Sequence, residues 1–284
     1  MVLVLTVLVV SLAYLTIAQL ERVPVLQFRA LPTPRPFLVT DMAWFAVAIA
    51  ATAASMFGFR PVLTRLTIGP LRDRTIALPL ALKIVLGLVM FDLVSFLVHK
   101  GLHRSDLLWN LHKVHHSTLE LDGFATTRAH MFENMVRFLP GQALLLVVGM
   151  PAGVVATTLV IYNVYGITNH SNLNVKLPWI ETVLVTPRMH RSHHVPATTQ
   201  NNFGGMFTFW DRAFGTMLRG DITNTDRYGV PGEIDSYPQH FAQAVRQPVR
   251  QLRELRLQRR TTATIKTTAK AGLAEQTRGR LLGD

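Results

Sequence analysis

Four apolar blocks divide the chain: Val2 to Ala18, Met42 to Phe59, Ile76 to Val98, and Met135 to Thr168, the last interrupted by Gly149-Met150-Pro151. None alternates with period two over its length, and all exceed the usual length of a strand, so each predicts a helix. Crossing about 30 Å of hydrocarbon takes roughly 20 helical residues. The second and third blocks meet that requirement and the first comes close to it. Pro151 cuts the fourth block into halves that are each short for a crossing, which predicts a helical hairpin entering and leaving on one side. The first block lacks the basic start of a secretory signal and a small-residue cleavage site before Gln19-Leu20-Glu21-Arg22, and reads as a retained membrane helix.

The polar stretches between the blocks hold a second pattern. His99 and His103, four residues apart at the end of the third apolar helix, share one helical face. Ser105 or Asp106 can cap a following helix on which His112, His115 and His116 stand at i, i+3 and i+4. Thr186 as N-cap, Pro187 at the first helical position and Pro196 beyond the end frame a third short helix bearing His190, His193 and His194. The two copies of His-x-x-His-His are thus imidazole combs.

Composition sharpens this picture. Of 284 residues 49% are hydrophobic and 16% charged, the balance of a membrane protein. No cysteine is present, so any metal must be held by His, Asp, Glu or water. The net charge of +12 does not call for nucleic acid: ten of the 29 Lys and Arg residues lie between Arg246 and Arg280, where basic charge marks a cytoplasmic side and anionic headgroups. The histidine clusters can meet only if residues 99–134 and 169–240 share one side, which the positive charge assigns to the cytoplasm. Arg60, Arg65, Arg72 and Arg74 in the linker 60–75 run against that rule, because the linker must face the other side. The chain therefore divides into N-terminal membrane segments and linker (1–75), a catalytic region (76–240) and a basic, mobile tail (241–284) in which Leu252, Leu255 and Leu257 fit at most a short interfacial helix.

Eight of the eleven histidines fall in the three clusters. Eight imidazoles exceed the needs of one ion, so the count predicts two, each taking four or five nitrogens and leaving room for water or dioxygen. Ligand type alone leaves iron, zinc, copper and nickel open. Glu-x-x-His, His-Glu-x-x-His, a phosphate-cradling glycine loop and Gly-x-Ser-x-Gly are all absent, which argues against carboxylate di-iron bundles, zincins and serine hydrolases.

HKGLH, HKVHH and HRSHH, in this order behind paired hydrophobic segments, resemble the fatty acid hydroxylase and sterol desaturase superfamily of membrane di-iron enzymes. The resemblance covers roughly residues 85 to 240 and includes Asp92, LLWNLHKVHHS, NHSNL, LVTPRMHRSHH, NNFGGMFTFWDRAFGT and YGVPGEID. It implies an all-α integral membrane fold, with about four core transmembrane helices in addition to the N-terminal one and a cytoplasmic helical cap holding two irons, zinc being a replacement in purified protein. By motif, the metal ligands are His99, His103, His112, His115, His116, His190, His193 and His194, with His170 of the HSN motif as a ninth. Similar bacterial sequences often read His-Pro-Leu-Glu where this chain has His130-Met131-Phe132-Glu133, so His130 is expected near the substrate without the loop geometry that proline supplies.

Among the remaining residues, Asp92 is an ionisable group inside an apolar helix and so a functional candidate. It is expected either to orient a histidine or to make a structural hydrogen bond, and Asp211 has the same two roles open. Asn172 and Asn202 read as caps or turn residues, Phe203, Phe207, Phe209, Trp210 and Phe214 as packing or surface anchors, and His240 as structural. The implied activity is O2-dependent hydroxylation or desaturation of a lipid entering from the bilayer. Electrons would come from a separate ferredoxin, cytochrome or reductase, at a bacterial inner membrane. A dinuclear zinc hydrolase acting on a lipid headgroup is the alternative. A metal transporter or sensor fits less well, since the clusters lie outside the apolar spans.

Overall fold

The structure, a computed structural model, describes residues 2–33, 35–220, 222–223, 225–258 and 261. Among the described residues the α-helices run in the order α1 (Val2–Leu20), α2 (Leu38–Ala54), α3 (Arg60–Arg65), α4 (Gly69–Ala77), α5 (Leu80–Arg104), α6 (Asp106–His116), α7 (Met131–Val147), α8 (Ala152–His170), α9 (Pro187–His194) and α10 (Phe209–Ala213), and residues 241–258 are helical as well. Among the described residues there is no strand, only the isolated bridges Gln27–Leu173 and Leu184–Phe207. The all-α expectation holds.

Among the described residues α5 is the one helix long and apolar enough to cross a membrane, and Val4–Leu20 and Leu38–Ala54 are shorter apolar helices. The second apolar block is not one α-helix: a π turn, Ser55–Phe59, follows α2. The Ser55 hydroxyl donates back to the Thr52 carbonyl at 2.9 Å, a contact that competes with regular helical bonding. Val4, Leu5, Leu8, Leu12 and Leu15 on α1 and Leu80, Leu82 and Val85 on α5 remain exposed. The largest apolar core lies where α5, α7 and α8 meet, around Phe91, Leu145, Leu159 and Tyr162. Phe91 sits edge-on to Tyr162 at 4.8 Å and directly against Gly141, where an added Cβ would come within 2.7 Å of the Phe91 ring.

The hairpin predicted at Pro151 is present. The chain turns through Gly149, in the left-handed region at φ +85°, and Pro151 precedes the first residue of α8. Both outer ends of the hairpin reach the histidines: Glu133 in the first turn of α7 bonds His112, and His170 at the end of α8 faces His115. The tip of the hairpin instead meets the 60–77 linker, since the Ile68 amide donates to the Val147 carbonyl and the Thr75 hydroxyl to the Val148 carbonyl. The linker and the histidines therefore lie at opposite ends of the helices.

Residues before α5 also brace the histidine end. Arg35 pairs with both Asp41 and Asp122, Arg128 donates to Asp41 at 2.6 Å, and Glu21 accepts from the amides of Gly123 and Asn172. Met1–Val245 form one compact unit and Arg246–Asp284 a second. In the second, residues 246–258 are helical, with an Arg250–Glu254 pair at 3.0 Å. The rest of the basic tail lies outside the described residues apart from Thr261.

Candidate metal centre

The centre is assembled on the polar ends of the apolar helices. The last turns of α5 carry His99 and His103 past the apolar stretch. Ser105 then ends α5 and caps α6 by accepting from the Leu108 amide, so the chain reverses within one residue. The α6 comb is brought back against α5, with the rings of His103 and His112 4.7 Å apart. Thr186 occupies the N-cap position of α9 in extended geometry, as expected, but its hydroxyl donates to Glu181 at 2.8 Å instead of capping.

The nine histidines separate into two buried groups. His99, His103, His112, His116 and His193 form one, and His115, His170, His190 and His194 the other; within each, one ligand nitrogen per residue lies within 4.8 Å of all the rest. The groups adjoin, with the rings of His116 and His194 4.5 Å apart. Neither comb serves a single group. The α6 comb gives its i, i+4 pair, His112 and His116, to the first group and its i+3 member, His115, to the second. The α9 comb does the reverse, giving His190 and His194 to the second and His193 to the first. Helical geometry explains this: i and i+4 point about 40° apart, whereas i+3 lies about 60° to the other side of i.

Hydrogen bonds show which nitrogens carry protons. His99 Nδ1 donates at 2.8 Å to the Phe203 carbonyl, which has no proton to give. His112 Nδ1 lies 2.7 Å from Glu133 Oε1 and donates to it once that carboxyl, which burial pushes up to about 8, is ionised, as a cation among the imidazoles would favour. With Glu133 ionised both Nε2 atoms are bare lone pairs, facing each other at 3.1 Å. The second group repeats the arrangement. His170 Nδ1 donates to the Gly166 carbonyl and His115 Nδ1 to the Arg128 carbonyl, leaving the two Nε2 atoms 3.1 Å apart. His190 Nε2 joins them at 2.9 Å from His170 Nε2. Converging lone pairs repel one another unless a cation lies among them, so the donor set fits a metal ion in each group. His103 and His116, with no hydrogen-bond partner on either ring nitrogen among the described residues, agree with this.

The electrostatics point the same way. Burial, followed by the neighbouring imidazoles, holds His112, His115, His116, His190 and His194 well below the ordinary histidine pKa. Burial takes His193 down to about 4 even though the Asn201 carbonyl, accepting from its Nδ1 at 2.7 Å, favours the protonated ring. These rings are neutral at pH 7, the protonation state a metal ligand needs.

One loop organises much of the first group. Asn202 adopts φ +55°, a conformation asparagine tolerates, and its side chain bonds Ser192 and Leu218. The turn aims the carbonyls of its two neighbours, Asn201 and Phe203, at His193 and His99. Asp211 holds the loop from one side by accepting from the amides of Phe203 and Gly204. Asp92 holds it from the other, accepting from the Met206 and Phe207 amides and the Tyr162 hydroxyl, each at 2.9 Å. Of the two roles open to each carboxylate, both make backbone hydrogen bonds that place the loop, and neither bonds a histidine. His130 is also outside the two groups. It precedes α7, with Nδ1 accepting from the Phe132 amide and the ring 6.3 Å from Trp44. His240 packs edge-on to Phe37 at 5.6 Å, away from the centre.

The sequence singled out Glu133 only as the end of the His130-Met131-Phe132-Glu133 stretch and gave it no role; it is wholly buried against His112, which the reasoning applied to Asp92 reaches, since a carboxylate at the edge of an apolar block needs a partner. It also missed Trp109, whose ring lies tilted against His103 with centroids 4.8 Å apart. Phe203, expected to be packing, lies against His99, His103 and His193 at 5.2–5.6 Å and walls the first group.

The helix ends thus form a buried, thiolate-free cage of nine imidazoles, in two groups that could each hold a metal ion. The model of the fatty acid hydroxylase family matches residues 84–216, just under half of the chain, a stretch that holds all nine histidines. The chain is 28% identical over 158 residues to the ornithine lipid hydroxylase OlsE of Rhizobium tropici, a match covering 55% of this chain and 48% of that protein. It is 29% identical over 128 residues to alkylglycerol monooxygenase of Danio rerio (44% and 28%) and 27% identical over 139 residues to lathosterol oxidase of Rattus norvegicus (49% and 46%). The matches thus span about half the length of these curated relatives, or less. No solved structure matches the chain.

Proposed function

We propose that the protein is a membrane-bound di-iron oxygenase that hydroxylates or desaturates a lipid, using O2 and two electrons from a separate ferredoxin, cytochrome or reductase. The observation that carries this reading is the pair of adjoining histidine groups, whose converging Nε2 lone pairs suit two metal ions. The relatives add to it, since a hydroxylase, a monooxygenase and an oxidase that share this region have lipid names in common. Those names favour oxygen chemistry over the headgroup hydrolase.

His99, His103, His112, His116 and His193 would hold one iron, and His115, His170, His190 and His194 the other. Bound iron supplies O2 reduction and the oxidation of an unactivated C–H bond. The chain's own residues keep the Nδ1 protons in place. Glu133 and the carbonyls of Phe203, Asn201, Gly166 and Arg128 fix each imidazole's tautomer and orientation. Burial excludes bulk water, and Phe203 and Trp109 provide an apolar wall beside the first group. His130, placed before α7, is assigned to the substrate side.

The apolar exteriors of α1 and α5 support a multi-pass membrane location, and the distribution of basic residues supports a cytoplasmic histidine end, in a bacterial inner membrane. Cysteine probes at Ser117 and Thr67 should then label from opposite sides. For the activity, protein purified without chelator should carry close to two irons per chain. Cells making it under labelled dioxygen should accumulate a labelled lipid that an inactive variant does not produce. Turnover that persists under strict anaerobiosis would overturn the oxygenase reading.

A further inference from the structure

The end of the helices away from the histidines contains a second feature that the proposed reaction does not use. α3, α4 and the turn joining α7 to α8 line a cavity of about 520 Å³, within the span of roughly 300–1,000 Å³ typical of small-molecule sites. Arg60 and Arg72 stand on its wall with Thr64 and Thr67. Neither guanidinium has a hydrogen-bond or ion-pair partner among the described residues. The linker's acidic residue, Asp73, does not line the cavity.

The wall is built on fixed elements. Gly149 lies so close to Arg72 that a Cβ there would come 2.4 Å from the Arg72 Cβ. The Thr67 hydroxyl donates to the Leu146 carbonyl at 3.1 Å and the Ile68 amide to the Val147 carbonyl at 2.9 Å, so α4 is fastened to the hairpin tip. Ile76 on the cavity wall is exposed, and so are Val62, Leu66, Ile68 and Leu71 on α3, α4 and the turn between them. Two unpaired guanidiniums on the wall of one recess call for an anion whose oxygens match their forked donors, as a phosphate's do. The apolar part of the wall, Ile76, Leu146 and Met150, and the exposed apolar side chains on the same two helices call for something more than an anion, because a free phosphate ion would leave the exposed ones in water.

We propose that this cavity binds the phosphodiester headgroup of an anionic membrane lipid, with Arg60 and Arg72 on the phosphate oxygens and the apolar side chains of α3 and α4 against the acyl region. The assignment also accounts for arginines in a linker that lies opposite the histidine end, where the charge rule did not expect them.

The test is ligand binding to the detergent-solubilised full chain, with dihexanoyl phosphatidylglycerol, dihexanoyl phosphatidylcholine and inorganic phosphate as probes. Phosphatidylglycerol should bind saturably and more tightly than the other two. R60Q/R72Q should weaken it by at least about tenfold, the loss of charge-assisted hydrogen bonds, whereas R65Q/R74Q, off the cavity wall, should not. Ala152→Glu places a carboxylate on the same wall at the first position of α8, where a helix accepts negative charge. It should weaken binding similarly even if R60Q/R72Q does not fold. Equal affinity for inorganic phosphate would make this a free-anion site and overturn the lipid assignment. Equal losses in both double variants, or unchanged binding in Ala152→Glu, would overturn the built site.

Discussion

His112 and Glu133, 21 residues apart and both fully buried, are joined by a 2.7 Å bond from the imidazole Nδ1 to the carboxylate Oε1. The bond settles which nitrogen of His112 faces the centre. Glu133→Gln keeps the shape but replaces a carboxylate with a weaker acceptor. It should lower metal affinity in the first group by about 10-fold to 100-fold while leaving helicity intact. Metal titration of chelator-treated protein measures it, and unchanged affinity would show that Glu133 does not tune His112.

The crossed allocation of the two combs gives a pattern of losses that neither comb alone would produce. His193→Ala removes a nitrogen from the five-histidine group and His115→Ala one from the four-histidine group. Each should retain about one metal per chain, the neighbouring site surviving, and the double variant should retain none. His240→Ala should be unaffected. Metal content by mass spectrometry decides this; two metals retained in both single variants would rule the assignment out.

The 202–207 loop is held so closely that adding one methyl group should be felt. A Cβ at Gly205 would lie 1.8 Å from the Tyr162 hydroxyl, itself bonded to Asp92. Gly205→Ala should therefore cost about 1–3 kcal/mol, the usual range for overpacking. Asp211→Ala, which leaves the buried amides of Phe203 and Gly204 without their carboxylate acceptor, should cost about as much again for each amide. Both should reduce the thermal midpoint and the metal content of the first group together. Loss of stability with unchanged metal content would separate the loop from His99.

Metal-free protein should be acid-sensitive in a defined window. Burial holds His193 at about 4 in the folded state against an ordinary 6.5, so between these values the unfolded chain binds more protons than the folded one. Stability then falls as pH drops through 6.5 and levels off near 4, by roughly 3 kcal/mol for this residue alone. The other depressed histidines add to the slope. Denaturant midpoints at pH 7.5, 6 and 5 read it directly, and a flat profile would mean that the histidines are not buried as neutral rings.

The linear pattern alone determined the helical class, the hairpin at Pro151, the placing of His99 and His103 at a helix end and the two combs, because each depends on residues a few positions apart and on the 3.6-residue repeat. Motif likeness added His170. Which comb nitrogen joins which group was decided only in three dimensions. So was the placement of Phe203, whose carbonyl lies 104 residues along the chain from His99, of Glu133 behind His112, and of Asp92 and Asp211 on the loop instead of on the imidazoles. Helical spacing sets the direction in which an imidazole leaves its own helix. The partner it meets depends on how α5, α6, α8 and α9 pack, and that packing follows from contacts, such as Phe91 against Gly141 and Tyr162, whose members lie tens of residues apart.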